Sequence, residues 1–229
     1  MSMRAYRVIR QADIIVGYKT YINLIDELLE GKEVLSSGMM KEIDRSKLAI
    51  EKALNGSYVV VVSSGDSGLY GMAGIVLEIL EKEGLRNKID VEIVPGISSA
   101  FAAAASLGAP LMHDTALVSL SDLLTPREQI VKRLESAAQG DFVTALYNPV
   151  SKKRTELIKE AQAIFLKYRD SATPVGIVRN AKREDEEIVH STLGTFTGEK
   201  LDMFTMIIIG NSNTYDTGKY MLTPRGYKV

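Results

Sequence analysis

The stretch VVVVSSGDSGLYG, residues Val59–Gly71, decides how the rest of the chain is read. Four consecutive valines lie between Gly56 and Gly65. A half-exposed strand would alternate apolar and polar residues, so an unbroken apolar run predicts a strand over Tyr58–Ser63 buried on both faces. The turn Ser63–Gly68 follows, and a helix is expected over Gly71–Glu83, closed by Gly84. In open parallel sheets, ligands bind beyond the carboxyl ends of the strands. Glycines at such a turn let backbone approach a ligand closely, and Asp66 can accept a hydrogen bond from a hydroxyl. The same Asp also suits a helix N-cap, and both readings stay open at this point.

Outward from this unit the pattern repeats. On the N-terminal side we expect a helix at Met3–Gln11 and a strand at Asp13–Val16 ending in a turn at Gly17. Apolar spacing predicts helices at Tyr21–Leu29 and Asp44–Leu54. On the C-terminal side Val91–Val94 is expected to be a strand, with an alanine-rich helix at Ser98–Leu107. The turn Val94-Pro95-Gly96-Ile97-Ser98-Ser99 resembles the first, with serine hydroxyls and free helix amides at a strand end. Neither turn carries a Walker or GxGxxG pattern, so a phosphate cradle is not indicated. Strands alternating with helices imply an α/β fold whose first sheet is parallel and covered on both faces.

The pattern breaks at Gly108–Asp114. Beyond it, strands are expected at Ala116–Leu120, Phe142–Leu146, Val175–Arg179, Ile188–Ser191 and Phe204–Ile209. Helices are expected at Thr125–Ala138, with Pro126 in the first helical position, and at Arg154–Tyr168. We therefore divide the chain into two α/β domains, 1–110 and 111–229, with a ligand cleft expected between them.

Composition narrows the function classes. The 229 residues are 45% hydrophobic and 25% charged, ordinary for a globular protein. Cysteine is absent, which excludes disulfides, thiolate metal sites and a thiol nucleophile. A net charge of −1 argues against broad nucleic-acid binding. No apolar run approaches the ~20 residues that span a bilayer, and the N-terminus lacks a signal-peptide pattern. A cytoplasmic location is expected.

The segments GDSGLYGM, VPGISSAFAAAASLGAPLMHD, SLSDLLTP, LYNPVSKKR, VGIVRNAKREDEE, MIIIGNSNT and YMLTPRGY together resemble the tetrapyrrole methylases. Within that family they are most similar to its precorrin-3B / cobalt-precorrin-3 C(17)-methyltransferase branch. The resemblance runs from Ile14 to Tyr227. It implies two α/β domains holding S-adenosylmethionine between them, within a homodimer, and methylation of a corrin precursor coupled to ring contraction in cobalamin biosynthesis. Carried over residue by residue, it implies cofactor contacts at Ser64, Gly65, Asp66, Leu69, Ser98, Ser99, Tyr147 and Asn148, and also at Asn180, Ala181, Thr205 and Met206. His113 and Asp122 are its candidate acid–base residues. Family members open with a strand and a GxGPG-type loop, whereas MSMRAYRVIR looks like the helix after that loop. That strand and loop are therefore expected to be missing, through truncation or a start assigned at an internal methionine.

The chemistry fits this inventory. A sulfonium methyl is already electrophilic, so the protein has to align the reactants and exclude water, with a base needed only if a proton leaves. Tetrapyrrole precursors carry many carboxylates, which Lys152, Lys153 and Arg154 can pair with, although a solvated helix start explains the same residues. The mixed-sign run Lys182–Glu187 reads as a solvated loop, and His190 is assigned no function. Alternatives are another tetrapyrrole methylase, a diphthine synthase-like enzyme, or a non-catalytic nucleotide-binding module.

Overall fold

Strand β1 (Ile14–Tyr18) has its first four residues buried, and the first sheet is built around it. In this computed structural model, which describes residues 1–38, 40–151 and 154–228, β1 pairs in parallel with β2 (Glu33–Ser37) and β3 (Val59–Val62), in the order β2-β1-β3. Successive side chains of β1 go to opposite faces. Ile15 packs with Ile9, Ala12, Ile22, Ile25, Leu28 and Val62, while Ile14 and Val16 pack with Ala49, Val59 and Val61. Helix α1 (Met3–Gln11) therefore covers one face and α3 (Glu42–Leu54) the other. Helix α4 (Ala73–Lys82) closes over α3 through Ile50, Ile79 and Leu80.

The chain divides into two compact units, Met1–Ser98 and Ser99–Val229. The sequence division falls near residue 110, so the alanine-rich helix α5 (Ser99–Leu107) belongs to the second unit rather than the first. In that unit a five-stranded mixed sheet has the order β5-β6-β9-β7-β8. Its strands are β5 (Thr115–Ser119), β6 (Val143–Tyr147), β7 (Pro174–Arg179), β8 (Glu187–Thr192) and β9 (Thr205–Ile209). Only β5 and β6 run parallel, and β9 is antiparallel to both of its neighbours. Helices α6 (Arg127–Gln139) and α7 (Leu157–Phe165) cover one face through Ile130, Leu134, Ile158 and Phe165. The other face receives α5 through Ala100, Ala103, Ala104 and Leu107. A short ladder joins β4 (Gly108–Ala109), β10 (Tyr215–Asp216) and β11 (Met221–Leu222).

Several expectations are corrected. Gly17 lies inside β1 rather than in a turn: a Cβ there would stand 2.5 Å from Val62 Cγ2, so glycine serves close packing. Tyr21–Leu29 is a short helix α2 (Lys19–Ile22) followed by a 3₁₀ segment in which Ile25 has non-helical angles of φ −127° and ψ 21°. Aromatic and β-branched residues there give weak helix propensity. Val91–Val94 forms no ladder among the described residues, because β-propensity marks fit to a pleated surface and supplies no partner. Pro126 caps α6 from outside, since its ψ of 137° is extended. Helix α7 starts at Leu157 rather than Arg154, whose backbone is bridged to Ser151. No helix among the described residues is long and apolar enough to cross a membrane.

Candidate active site

The carboxyl end of β3 runs into a turn organised by one carboxylate. Asp66 Oδ1 accepts hydrogen bonds from the Gly68 and Leu69 amides at 2.9 and 3.1 Å, and Oδ2 accepts from Gly96 N at 2.8 Å. The Gly96 amide, then that of Gly68, holds the Asp66 carboxyl below the usual carboxylate range, against a smaller opposing effect of burial. Asp66 therefore does not cap α4, whose N-cap is Met72. It ties the Ser63–Gly68 turn to the Pro95–Gly96 turn instead. Ser67 Oγ donates to Val94 O at 3.1 Å and adds a second tie.

Two glycines make this approach possible. Gly65 has φ +75°, and a Cβ on Gly96 would lie 1.9 Å from Gly65 O. Three of roughly four lone-pair sites on Asp66 are used, leaving about one for a ligand. Leu69 is half-buried beside it. Ser98 is buried, and Ser99 is the first residue of α5.

In the second unit, register assembles six of the expected residues at one sheet edge. Because β9 runs antiparallel between β6 and β7, its amino end meets the carboxyl ends of both. Arg179 stands opposite Thr205 and Leu146 opposite Ile207, which brings Tyr147–Asn148, Asn180–Ala181 and Thr205–Met206 together. Tyr147, Ala181 and Met206 share one apolar cluster with Ala103 and Ala104 of α5. The Tyr147 hydroxyl accepts from Ala100 N at 3.4 Å. Asn148 and Asn180 both take positive φ, 52° and 51°, in the left-handed region that Asn tolerates. Asn180 Nδ2 donates to Asp185 Oδ2 at 2.7 Å, and the Thr205 hydroxyl donates to Asp202 Oδ1 at 2.9 Å. Asp202 is held below the usual carboxylate range by its hydrogen bond from Arg179, although burial acts first and in the opposite direction.

A polar clasp flanks this edge. Asn148 Nδ2 donates to Ser119 Oγ at 3.0 Å, Arg154 Nη2 donates to Asn148 O at 3.0 Å, and Arg154 Nη1 lies 3.5 Å from Asp122 Oδ1. Asp122 and Arg154 thus come together, with Arg154 already facing a carboxylate of its own chain. Lys152 and Lys153 lie outside the described residues. His113 is not brought to the clasp. It precedes β5, at the opposite end of the strand from Ser119, and its Nδ1 accepts from the adjacent Asp114 amide at 3.0 Å. Sequence reasoning missed Ser119, Asp185 and Asp202, since only tertiary register shows what they hold. It read Gly96 only as part of a capped turn.

A sequence profile described as Tetrapyrrole (Corrin/Porphyrin) Methylases matches residues 1–197. The chain belongs to the tetrapyrrole methylases. It is 47% identical over 230 residues to a cobalt-factor III methyltransferase of Priestia megaterium, aligning over all of this chain but only 43% of that protein. It is 44% identical to a probable cobalt-factor III C(17)-methyltransferase of Salmonella typhimurium, over all of this chain and 94% of that one. A precorrin-3B C(17)-methyltransferase of Sinorhizobium sp is 36% identical over 93% of this chain and 84% of its own length. Among solved structures, the methyltransferase CobJ superposes with a TM-score of 0.92 at 36% identity, covering 98% of this chain and 93% of that one. The uroporphyrin-III C-methyl transferase from Thermus thermophilus, solved with S-adenyl homocysteine, shares the fold at a TM-score of 0.70 and 22% identity, over 92% of this chain and 90% of that one.

Proposed function

We propose that this tetrapyrrole methylase uses S-adenosylmethionine to methylate carbon 17 of a corrin precursor, cobalt-factor III or precorrin-3B, coupled to ring contraction in cobalamin biosynthesis. The observation that carries the reading is the end-to-end likeness to the probable cobalt-factor III C(17)-methyltransferase of Salmonella typhimurium. Higher identity to the two relatives named for cobalt-factor III than to the one named for precorrin-3B makes cobalt-factor III the first substrate to test.

The residues present fit the cofactor. The Ser64–Leu69 turn offers glycine backbone and the remaining lone pair of Asp66 to a polar amino-acid end. The Tyr147–Ala181–Met206 cluster offers an apolar bed beside the turns at Asn148 and Asn180, suited to a nucleoside base. Ser98, Ser99 and Thr205 complete the proposed contacts. Bound S-adenosylmethionine supplies an electrophilic methyl group. The chain itself orients the nucleophilic carbon and keeps water out. Asp122, oriented by Arg154, is the proposed proton acceptor if a proton leaves during contraction. Arg154 and the neighbouring Lys152 and Lys153 are proposed to meet substrate carboxylates. The geometry gives His113 no comparable support. On the family resemblance we also read the protein as a cytoplasmic homodimer.

The decisive experiment incubates the protein with methyl-labelled S-adenosylmethionine and either cobalt-factor III or precorrin-3B, then determines product mass and methylation site. One labelled methyl at carbon 17 of a ring-contracted product is expected. Methylation at another ring carbon, or of a protein side chain, contradicts the reading. A protein that binds S-adenosylhomocysteine but methylates neither substrate contradicts it too.

A further inference from the structure

A second feature sits on the carboxyl edge of the first sheet, away from the glycine turn. At the ends of β1 and β2 is a cavity of about 500 Å³ lined by Tyr18, Lys19, Thr20, Asn23, Ser36 and Ser37, with Gly38 at its margin. The sheet order β2-β1-β3 places it one strand away from the Asp66 turn, a spacing of about 4.8 Å between neighbouring strands. Its chemistry is one-sided. Hydroxyl and amide groups surround a single cation, and no carboxylate lines it among the described residues. Lys19 is exposed and makes no ion pair with any described residue. A concave site with one unpaired cation and several neutral donors selects an anion of modest size.

The wall of the cavity is fixed from behind. Arg45 on α3 has a side chain only 4% exposed. Its Nη1 donates to Ser37 Oγ at 3.0 Å, to Gly38 O at 3.3 Å and to Ser37 O at 3.5 Å. Its Nη2 lies 3.5 Å from Glu42 Oε1, and its Nε has no partner among the described residues. A buried, incompletely satisfied guanidinium is costly in a merely structural turn. On the other wall, Tyr18 is held edge-to-face against Tyr21, with ring centroids 5.2 Å apart.

We propose that this cavity receives a carboxylate side chain of the tetrapyrrole, with Lys19 as its charged contact and Arg45 as a positioning residue that sets Ser37 and Gly38. This rests on the reading of the protein as a tetrapyrrole methylase acting on a polycarboxylate ring. It adds a subsite on β1 and β2, separate from the residues assigned to the cofactor and from Lys152–Arg154. A ring held here by one carboxylate lies beside the turn proposed to hold the methyl donor.

The test measures cobalt-factor III binding by its absorption change, S-adenosylhomocysteine binding by calorimetry, and kcat and KM, in the parent, Lys19→Met and Lys19→Arg. Lys19→Met is expected to weaken the tetrapyrrole and raise its KM by about tenfold or more, the loss that a charge-assisted hydrogen bond carries. Its kcat and its affinity for S-adenosylhomocysteine should stay at parental values, and Lys19→Arg should restore most of the binding. The mutant's deficit should narrow as salt rises, since salt screens the lost contact in the parent. Ser37→Ala, which leaves Arg45 its bonds to the Ser37 and Gly38 carbonyls, should give a smaller loss in the same direction. Parental tetrapyrrole affinity in Lys19→Met overturns the subsite alone. Equal loss of S-adenosylhomocysteine in that variant also overturns it, by assigning the cavity to the cofactor. A parent that binds S-adenosylhomocysteine but no tetrapyrrole defeats the functional reading itself, and the subsite with it.

Discussion

The two sheets organise their candidate edges by opposite means. In the first unit a carboxylate gathers backbone donors: Asp66 accepts three amides, and glycine supplies the positive φ. In the second a guanidinium engages a backbone acceptor: Arg154 donates to the Asn148 carbonyl, and asparagine supplies the positive φ. The first arrangement spends N–H groups and needs residues without a Cβ. The second spends a carbonyl and keeps side chains that make their own bonds, as Asn148 does with Ser119 and Asn180 with Asp185. A glycine turn is thus intolerant of any added atom, whereas an asparagine turn depends on a network and should fail by degrees.

Substitution at Gly96 gives the largest expected effect. A Cβ 1.9 Å from Gly65 O forces backbone apart, so Gly96→Ala should lose about 1–3 kcal/mol of stability and most S-adenosylhomocysteine affinity. Melting temperature and calorimetry check both. Parental affinity in this variant would erase the claimed contrast between the two edges.

Asp66→Asn should cost less, about 1 kcal/mol after solvent screening of a half-buried carboxylate. An amide has one acceptor oxygen and cannot serve Gly96 and the Gly68–Leu69 pair together. The sign of the pH dependence follows from the lowered folded-state value. The stabilisation is fully present above the unfolded carboxyl pKa of ~3.9 and is lost as pH falls through the lower folded value. Urea midpoints from neutral pH downward should therefore decline less steeply in Asp66→Asn than in the parent. Identical acid profiles would show that the three amides confer no linked stability.

Legibility in the sequence follows the same divide. Strands β3, β6, β7 and β9 are rich in apolar residues, and their sequence ranges come within one or two residues of the structure. Strand β2 escapes detection because Glu33–Ser37 is an edge strand with three of its five residues exposed. Val91–Val94 is over-read because an apolar segment states a preference and not a partner. The glycine turns are visible since Gly65 and Gly96 have little other use. Arg45 and Arg169 are invisible, because a buried arginine is defined by carbonyls that only the fold brings near. Arg169 donates to the Gly210, Ala137 and Phe142 carbonyls and lies over the Phe165 ring. Burial pushes it down to about 10, which leaves it charged at neutral pH.

Arg154→Met sharpens the second half of the comparison. It removes the donor to Asn148 and leaves Asp122 without its cation. We expect a several-fold loss of S-adenosylhomocysteine affinity, about 1 kcal/mol, with a smaller change in melting temperature than in Gly96→Ala. Parental S-adenosylhomocysteine affinity, with only tetrapyrrole binding lost, would leave Arg154 its proposed substrate contact and remove its part in holding the Asn148 turn. The smallest effect belongs to His113→Ala. Its ring accepts from the Asp114 amide and lies 3.8 Å from the Asp114 carboxylate, at the far end of β5, so turnover should match the parent, and a large fall in kcat would return His113 to the chemistry.

The most direct measurement is amide hydrogen exchange with and without saturating S-adenosylhomocysteine. Slowed exchange is expected in 63–69, 96–99, 147–148, 180–181 and 205–206, covering both edges, with the segment 113–115 unchanged. Protection confined to one of these groups of segments, or appearing at 113–115 instead, would contradict the proposed set of cofactor contacts.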